Sequence, residues 1–209
     1  MTVRAVLLDI GGVLEITPPT DWPGRWEVRL GLRPGELRER GDEVWEAGAV
    51  GAISEAEVHR RLGVLLGVDD AVVRALMDDL WAEYLGTLNV ELVEYVRGLR
   101  PRYRTGIISN SFVGARERER ERYGLDELTE LTVYSHEVGM SKPDPRIYEL
   151  ACARLGVRPG ETVFLDDTEE MVDGARAVGM QALLFEHNAQ AIAEIEALIG
   201  ATSGRVGVS

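Results

Sequence analysis

Val3-Arg4-Ala5-Val6-Leu7-Leu8-Asp9-Ile10-Gly11-Gly12-Val13-Leu14 is a short apolar run that ends in a carboxylate and turns away through two glycines. A Val- and Leu-rich run of this length reads as a buried strand of a parallel sheet. In open α/β sheets, ligands bind in the crevice beyond the carboxyl ends of the strands. Asp9 is therefore expected at that edge, on a loop whose glycines let the backbone approach a ligand closely. A carboxylate so placed serves as nucleophile, as metal ligand or as both, or it merely ends a strand. This segment alone leaves those readings open.

Three further strand ends narrow the choice. Thr105-Gly106-Ile107-Ile108 runs into Ser109-Asn110-Ser111. Glu137-Val138-Gly139-Met140-Ser141-Lys142-Pro143-Asp144-Pro145 places a lysine in a rigid Pro-rich turn before a helix. Thr162-Val163-Phe164-Leu165 runs into Asp166-Asp167. In chain order these are a carboxylate, a hydroxyl, an ammonium and a carboxylate pair, each after an apolar segment. Together they resemble the haloacid dehalogenase (HAD) superfamily of hydrolases. Asp9 matches the family's first motif, Ser109 the second, Lys142 the third and Asp166-Asp167 the fourth. The likeness extends almost throughout from Gly106 to Phe185, including the Lys-Pro-Asp-Pro turn and Gly174-Ala175-Arg176-Ala177.

Length and composition bound what such a chain does. Its 209 residues suffice for one ordinary core, or a core plus a small inserted domain. A formal charge of −13 leaves no basic surplus to neutralise phosphates, which argues against nucleic-acid and anionic-membrane partners. An acidic protein that handles phosphate must attract the anion locally, with a lysine and a bound cation. Cys152 is the only cysteine, so no internal disulfide forms, and its apolar neighbours make it a small core residue. The first apolar run is short and carries Asp9, unlike a signal peptide, and no apolar stretch approaches bilayer length. A cytoplasmic enzyme is the expectation.

Strands alternate with helices outside one internal segment, which implies a parallel sheet with right-handed crossovers. Asp144 is expected to cap a helix with Pro145 at its first position, Gly156 to end it, and Asn188 to cap the last helix. The internal segment differs. Ser54-Glu55-Ala56-Glu57 is a capping-box pattern, and the apolar positions after it keep helical spacing. The expected organisation is an α/β core with a Rossmann-like parallel sheet over residues 1–16 and 89–200. Residues 17–88 form an inserted all-helical cap, and 201–209 a fraying tail. The alternating charges from Arg116 to Arg122 read as a solvated helix face.

The resemblance implies a mechanism. Asp9 attacks phosphorus and forms an aspartyl-phosphate, which water hydrolyses. Mg²⁺ is held by Asp9, the backbone carbonyl of Gly11 and Asp167, with Asp166 assisting. Ser109 hydrogen-bonds a phosphoryl oxygen, and Lys142 balances charge. Mg²⁺ suits such a set because it prefers a few carboxylates plus phosphate and water oxygens. Two departures stand out. The family's phosphatases usually carry a second Asp two residues after the nucleophile, as proton donor to the leaving group; here that place is Gly11. Met171 stands where relatives often carry Asn, which is expected to loosen the loop that orients Asp166-Asp167.

Substrate contacts are expected from Gly11 and Gly12, from Asn110 beside Ser109, and from Trp22, Arg25 and Trp26, which follow a Pro-Pro-Thr turn near the nucleophile loop. All four tryptophans fall in the inserted segment, where the simplest account of each is a place in the cap's own core. Glu15 is near Asp9 in sequence and is a candidate to replace the missing acid. The leading expectation is a Mg²⁺-dependent phosphatase of a small phosphorylated metabolite, favouring good leaving groups such as sugar 1-phosphates. The alternative is a weak or inactive relative that binds a ligand or partner protein. Carbon–halogen hydrolysis is disfavoured by Gly11 and by the intact Asp166-Asp167 pair.

Overall fold

The computed structural model describes residues 2–17 and 20–203. In chain order its elements begin with β1 (Ala5–Leu8), β2 (Glu15–Ile16) and helices α1 (Trp22–Leu30), α2 (Glu36–Ala49), α3 (Glu55–Leu66) and α4 (Asp70–Leu85). There follow β3 (Thr87–Leu88), α5 (Val90–Leu99), β4 (Arg104–Ser109), α6 (Ala115–Tyr123), α7 (Leu125–Leu128), β5 (Leu131–Tyr134) and α8 (Ser135–Val138). The chain closes with α9 (Pro145–Leu155), β6 (Thr162–Asp166), α10 (Glu169–Ala177), β7 (Gln181–Leu184) and α11 (Asn188–Ser203). The expected Pro18-Pro19 turn and the tail beyond Ser203 lie outside the described residues.

Among the described residues, β5-β4-β1-β6-β7 form a five-stranded sheet in which every pairing is parallel. β1 lies at its centre and is buried along its whole length. Side chains alternate between faces in a strand. Val6 and Leu8 accordingly pack with Leu92, Val96 and Ile195 of α5 and α11. Ala5 and Leu7 pack on the other side with Ile147, Ala151 and Val172 of α9 and α10. Both faces are covered by helices, which is why β1 reads as an unbroken apolar run. Register then fixes the site. Leu8 pairs with Ile107 of β4 and with Leu165 of β6, so Asp9 emerges beside Asp166 and one strand away from the end of β4.

Helices α1–α4 bury a separate core that contains Trp22, Trp26, Leu37, Val58, Leu62 and Trp81. Ser54 caps α3 by accepting from the Glu57 N–H, as its sequence pattern predicts. The helices are tethered at both ends by β2 and β3, which pair antiparallel. The end of α2 rests on the α/β core, where the Ser135 hydroxyl donates to the Ala49 carbonyl at 2.8 Å. Gly51 lies against the His136 carbonyl so closely that a Cβ would stand 1.8 Å from its oxygen.

Three local expectations change. The last helix starts at Asn188 itself, and the cap is His187, whose Nδ1 accepts from the Gln190 N–H at 3.2 Å. Asn188 instead bonds Asn89 and Glu91. That helix also runs to Ser203, into the stretch expected to fray. The third change concerns α6, which is not a solvated helix throughout. Glu119 is fully buried and accepts from the Tyr134 hydroxyl, while Arg118 pairs with Glu55 and stacks on Trp81. Tertiary partners, not local spacing, decide which side of this helix is wet. Among the described residues, no helix is long and apolar enough to cross a membrane.

Candidate active site

The carboxyl ends of β1 and β6 bring three carboxylates together. Oxygens of Asp9, Asp166 and Asp167 all lie within 4.8 Å of one another. The Asp9 N–H donates to the Leu165 carbonyl at 2.9 Å, which extends the β1–β6 ladder by one bond and fixes the backbone of Asp9. Gly12 makes the approach of Asp167 feasible. Its φ is +73°, and a Cβ there would stand 2.0 Å from Asp167 Oδ2. Gly12 thus gives Asp167 room to join the carboxylate cluster.

Lys142 reaches the cluster from the turn before α9. Its Nζ lies 2.7 Å from Asp9 Oδ1 and 2.6 Å from Asp166 Oδ2. Asn110 holds the lysine's backbone twice: its Oδ1 accepts from the Lys142 N–H at 2.7 Å, and its Nδ2 donates to the Lys142 carbonyl at 2.9 Å. Close packing supports this turn, since a Cβ on Gly174 of α10 would meet Pro143 at 2.7 Å. Asp144 caps α9 by accepting from the Arg146 N–H, with Pro145 next. Ser109 ends β4 and is buried.

Charge at the site does not balance. Burial pushes the Asp9 carboxyl up to about 6, against the lowering pull of Lys142. Asp167 is also raised, first by burial and then by Asp166. Three carboxylates around one ammonium leave two negative charges, and all the donors are hard oxygens. That is the donor chemistry of a divalent, oxygen-loving cation such as Mg²⁺. The loop that follows is held despite Met171. The Thr168 N–H donates to Asp166 Oδ1 at 2.9 Å, and the Tyr148 hydroxyl to the Met171 carbonyl at 2.7 Å.

A cavity of about 290 Å³ opens beside Asp9. Gly11, Glu15 and Asn110 line it from the sheet side, and Trp22, Leu80, Glu83 and Tyr84 from the helices. Trp22 is thus at the cleft, its indole donating to the Leu76 carbonyl. Trp26 is not: it is buried in the helical core and donates to Asp79. Arg25 is exposed on α1 and is not part of the lining. The sequence reading missed Leu80, Glu83 and Tyr84, although their i, i+3, i+4 spacing marks one face of a helix.

Glu15 is fully buried, and neither carboxylate oxygen has a partner among the described residues. Burial, reinforced by Glu119 nearby, pushes its carboxyl up to about 9. Glu119 itself is raised to about 7 by burial, although hydroxyls of Tyr134 and Tyr84 bond it. Glu15 therefore stands in the cleft as a neutral acid at physiological pH.

The model of the haloacid dehalogenase-like hydrolases matches residues 3–179 of this sequence. The chain belongs to that family. D-ribitol-5-phosphate phosphatase of Bacteroides thetaiotaomicron is 23% identical over 198 residues, covering 90% of this chain and 94% of its own. Bifunctional epoxide hydrolase 2 of Sus scrofa is 27% identical over 220 residues; the match covers 96% of this chain but only 39% of that protein. Crystal structures of a HAD family enzyme from B. thetaiotaomicron share the fold. One has a TM-score of 0.78 at 21% identity, over 89% of this chain and 95% of the other. A second, described as a complex with magnesium and inorganic phosphate, has a TM-score of 0.75 at 22% identity, over 88% and 94%.

Proposed function

We propose that this HAD-family hydrolase cleaves small phosphomonoesters in a Mg²⁺-dependent reaction with Asp9 as nucleophile. One observation carries the reading: Asp9 stands between a buried lysine and two further carboxylates at the carboxyl edge of the central strand. Asp9, Asp166, Asp167 and the Gly11 carbonyl are the groups that would hold the metal. When bound, Mg²⁺ neutralises phosphoryl charge and holds the group in line. The phosphatase relative that spans nearly the whole chain supports the same reading.

Asp9 attacks phosphorus, the P–O bond to the alcohol breaks, and an aspartyl-phosphate remains on Asp9. Lys142 stabilises charge on both the nucleophile and the transferring group. Ser109 donates to a phosphoryl oxygen. Water then attacks the phosphorus of the intermediate, which releases inorganic phosphate and regenerates the carboxylate. Helices α1–α4 act as a cap that excludes water and contacts the leaving group through Trp22. Gly11 supplies no proton, so alcohols of low basicity leave most readily. The single buried cysteine and the acidic composition suit a cytoplasmic setting.

Phosphate release from p-nitrophenyl phosphate and a metabolite panel, with and without Mg²⁺, tests the reading. Asp9→Asn is expected to abolish release while circular dichroism stays unchanged, because an amide is a far poorer nucleophile. Full activity in Asp9→Asn, or no Mg²⁺-dependent release from any ester, overturns it.

A further inference from the structure

We infer that the cavity beside Asp9 selects phosphomonoesters whose alcohol part is small, carries hydroxyl or ammonium donors, and bears no second anionic group. The inference deepens the phosphatase reading and rests on it. Its starting point is a mismatch between the cavity wall and a typical phosphorylated acid. Glu15 is fully buried, lines the cavity, and leaves both carboxylate oxygens without a partner. Glu83 lines the same cavity from α4, and its Oε2 is likewise buried and unpartnered. Buried polar groups without partners are destabilising, and a hydroxyl or ammonium on the ligand offers Glu83 a donor once its side chain turns into the cavity.

The rest of the wall points the same way. Tyr84, Thr17 and Trp22 complete this part of the wall. Among the described residues that line the cavity, none is basic. Lys142 is committed to Asp9 and Asp166, and Arg25 is exposed elsewhere. A carboxylate or second phosphate on the alcohol would face the Glu83 carboxylate with no basic side chain in the lining to offset it, in a chain that is already strongly acidic. Like charges placed together in a partly enclosed site disfavour the wrong ligand by repulsion. The cavity, about 290 Å³, suits an alcohol part of monosaccharide size or smaller.

Matched pairs of primary alkyl phosphates test this: glycerol 3-phosphate against 3-phosphoglycerate, erythritol 4-phosphate against 4-phosphoerythronate, and ethanolamine phosphate against phosphoglycolate. With saturating Mg²⁺ at neutral pH, kcat/KM is expected to be at least tenfold higher for the uncharged or cationic member of each pair. Glu83→Gln should shrink that ratio several-fold, and Glu83→Lys should reverse it for the three-carbon pair. Equal or faster turnover of the anionic members overturns the inference, as does a ratio unmoved in whichever Glu83 variant folds. p-Nitrophenyl phosphate separates the two levels. If it is hydrolysed while anionic members win, only the selectivity fails. If neither it nor any pair member releases phosphate, the phosphatase reading fails and the inference falls with it.

Discussion

Lys142 Nζ lies 2.6 Å from Asp166 Oδ2, and both side chains are 1% exposed. A buried pair of this kind contributes little net stability when intact, yet removing one partner strands an uncompensated charge. Lys142→Ala is therefore expected to destabilise the metal-free protein by about 3–5 kcal/mol. Phosphate release should fall by on the order of 10²–10³, the scale for losing one preorganised charge-stabilising group. Adding Asp166→Asn to Lys142→Ala should recover part of the stability and none of the activity. Denaturant melts of the two single variants and the double variant check this; equal melts for Lys142→Ala and wild type would refute the coupling.

Magnesium should both stabilise the protein and lose its grip in acid. A ligand that binds only the folded state adds about 2.7 kcal/mol at a hundred times its Kd. Protons compete for the same oxygens. Asp9, raised by burial to about 6, is charged above that pH and takes up a proton below it. The Mg²⁺-induced rise in Tm is thus expected to be full at pH 7.5, smaller at pH 6 and mostly gone at pH 5. An equal rise at pH 5 and 7.5 would remove Asp9 from the metal-binding set.

The two tryptophans of α1 should behave differently. Trp26→Ala empties a buried site in the helical core, at a cost of about 3–5 kcal/mol. Its effect on kcat/KM should stay within about threefold. Trp22→Ala opens the cavity wall and should lower kcat/KM by roughly tenfold for good substrates. Similar kinetic losses in both would contradict their placement.

Much of this site was legible in the sequence because strand ends are. Unbroken apolar runs mark a sheet buried on both faces, and the first residue after each run must stand at the carboxyl edge; Asp9 and Asp166 were found that way. Lys142 was legible through its Pro-rich turn. What lines the cavity beside Asp9 was not. Trp22 and Trp26 lie one turn apart on one helix and both are buried, so only tertiary packing separates the cleft residue from the core residue. Glu119 sits in a helix of alternating charge, and its burial depends on Tyr134 and Tyr84, far away in sequence. Glu83 and Tyr84 belong to a helix face whose apolar neighbours serve the helical core, so periodicity alone could not assign them to a cavity.

Glu15 makes a pH prediction about stability. Its carboxyl is raised from 4.5 to about 9 by burial, so the folded state holds a proton that the unfolded chain has released. Stability is then full below pH 4.5 and falls as pH rises towards 9. The slope is up to about 1.4 kcal/mol per pH unit. Glu119, raised to about 7, adds its own decline between pH 4.5 and 7. Glu15→Gln keeps the shape and removes the ionisation. Its Tm should match the wild type near pH 5 and exceed it at pH 8. Parallel Tm profiles across that range would show that Glu15 is charged in the folded protein.

Gly11 makes the sharpest prediction about chemistry. Without an acid two residues after the nucleophile, the departing oxygen must tolerate its own charge, so rate should depend steeply on leaving-group basicity. p-Nitrophenyl phosphate, acetyl phosphate and hexose 1-phosphates should be cleaved faster than hexose 6-phosphates or glycerol phosphate. The backbone permits the corrective variant. Gly11 lies outside the left-handed region, and a Cβ there meets nothing within 4 Å. Gly11→Asp is therefore expected to fold, whereas Gly12→Ala would drive a methyl into Asp167. A carboxyl at position 11 should flatten the dependence by accelerating the poor leaving groups about 10²-fold, at the lower end of what a general acid supplies. A shallow dependence in the wild type points instead to Glu15, the protonated acid in the same cavity. In that case Glu15→Gln should restore the steep dependence, and its failure to do so would leave neither source of the proton standing.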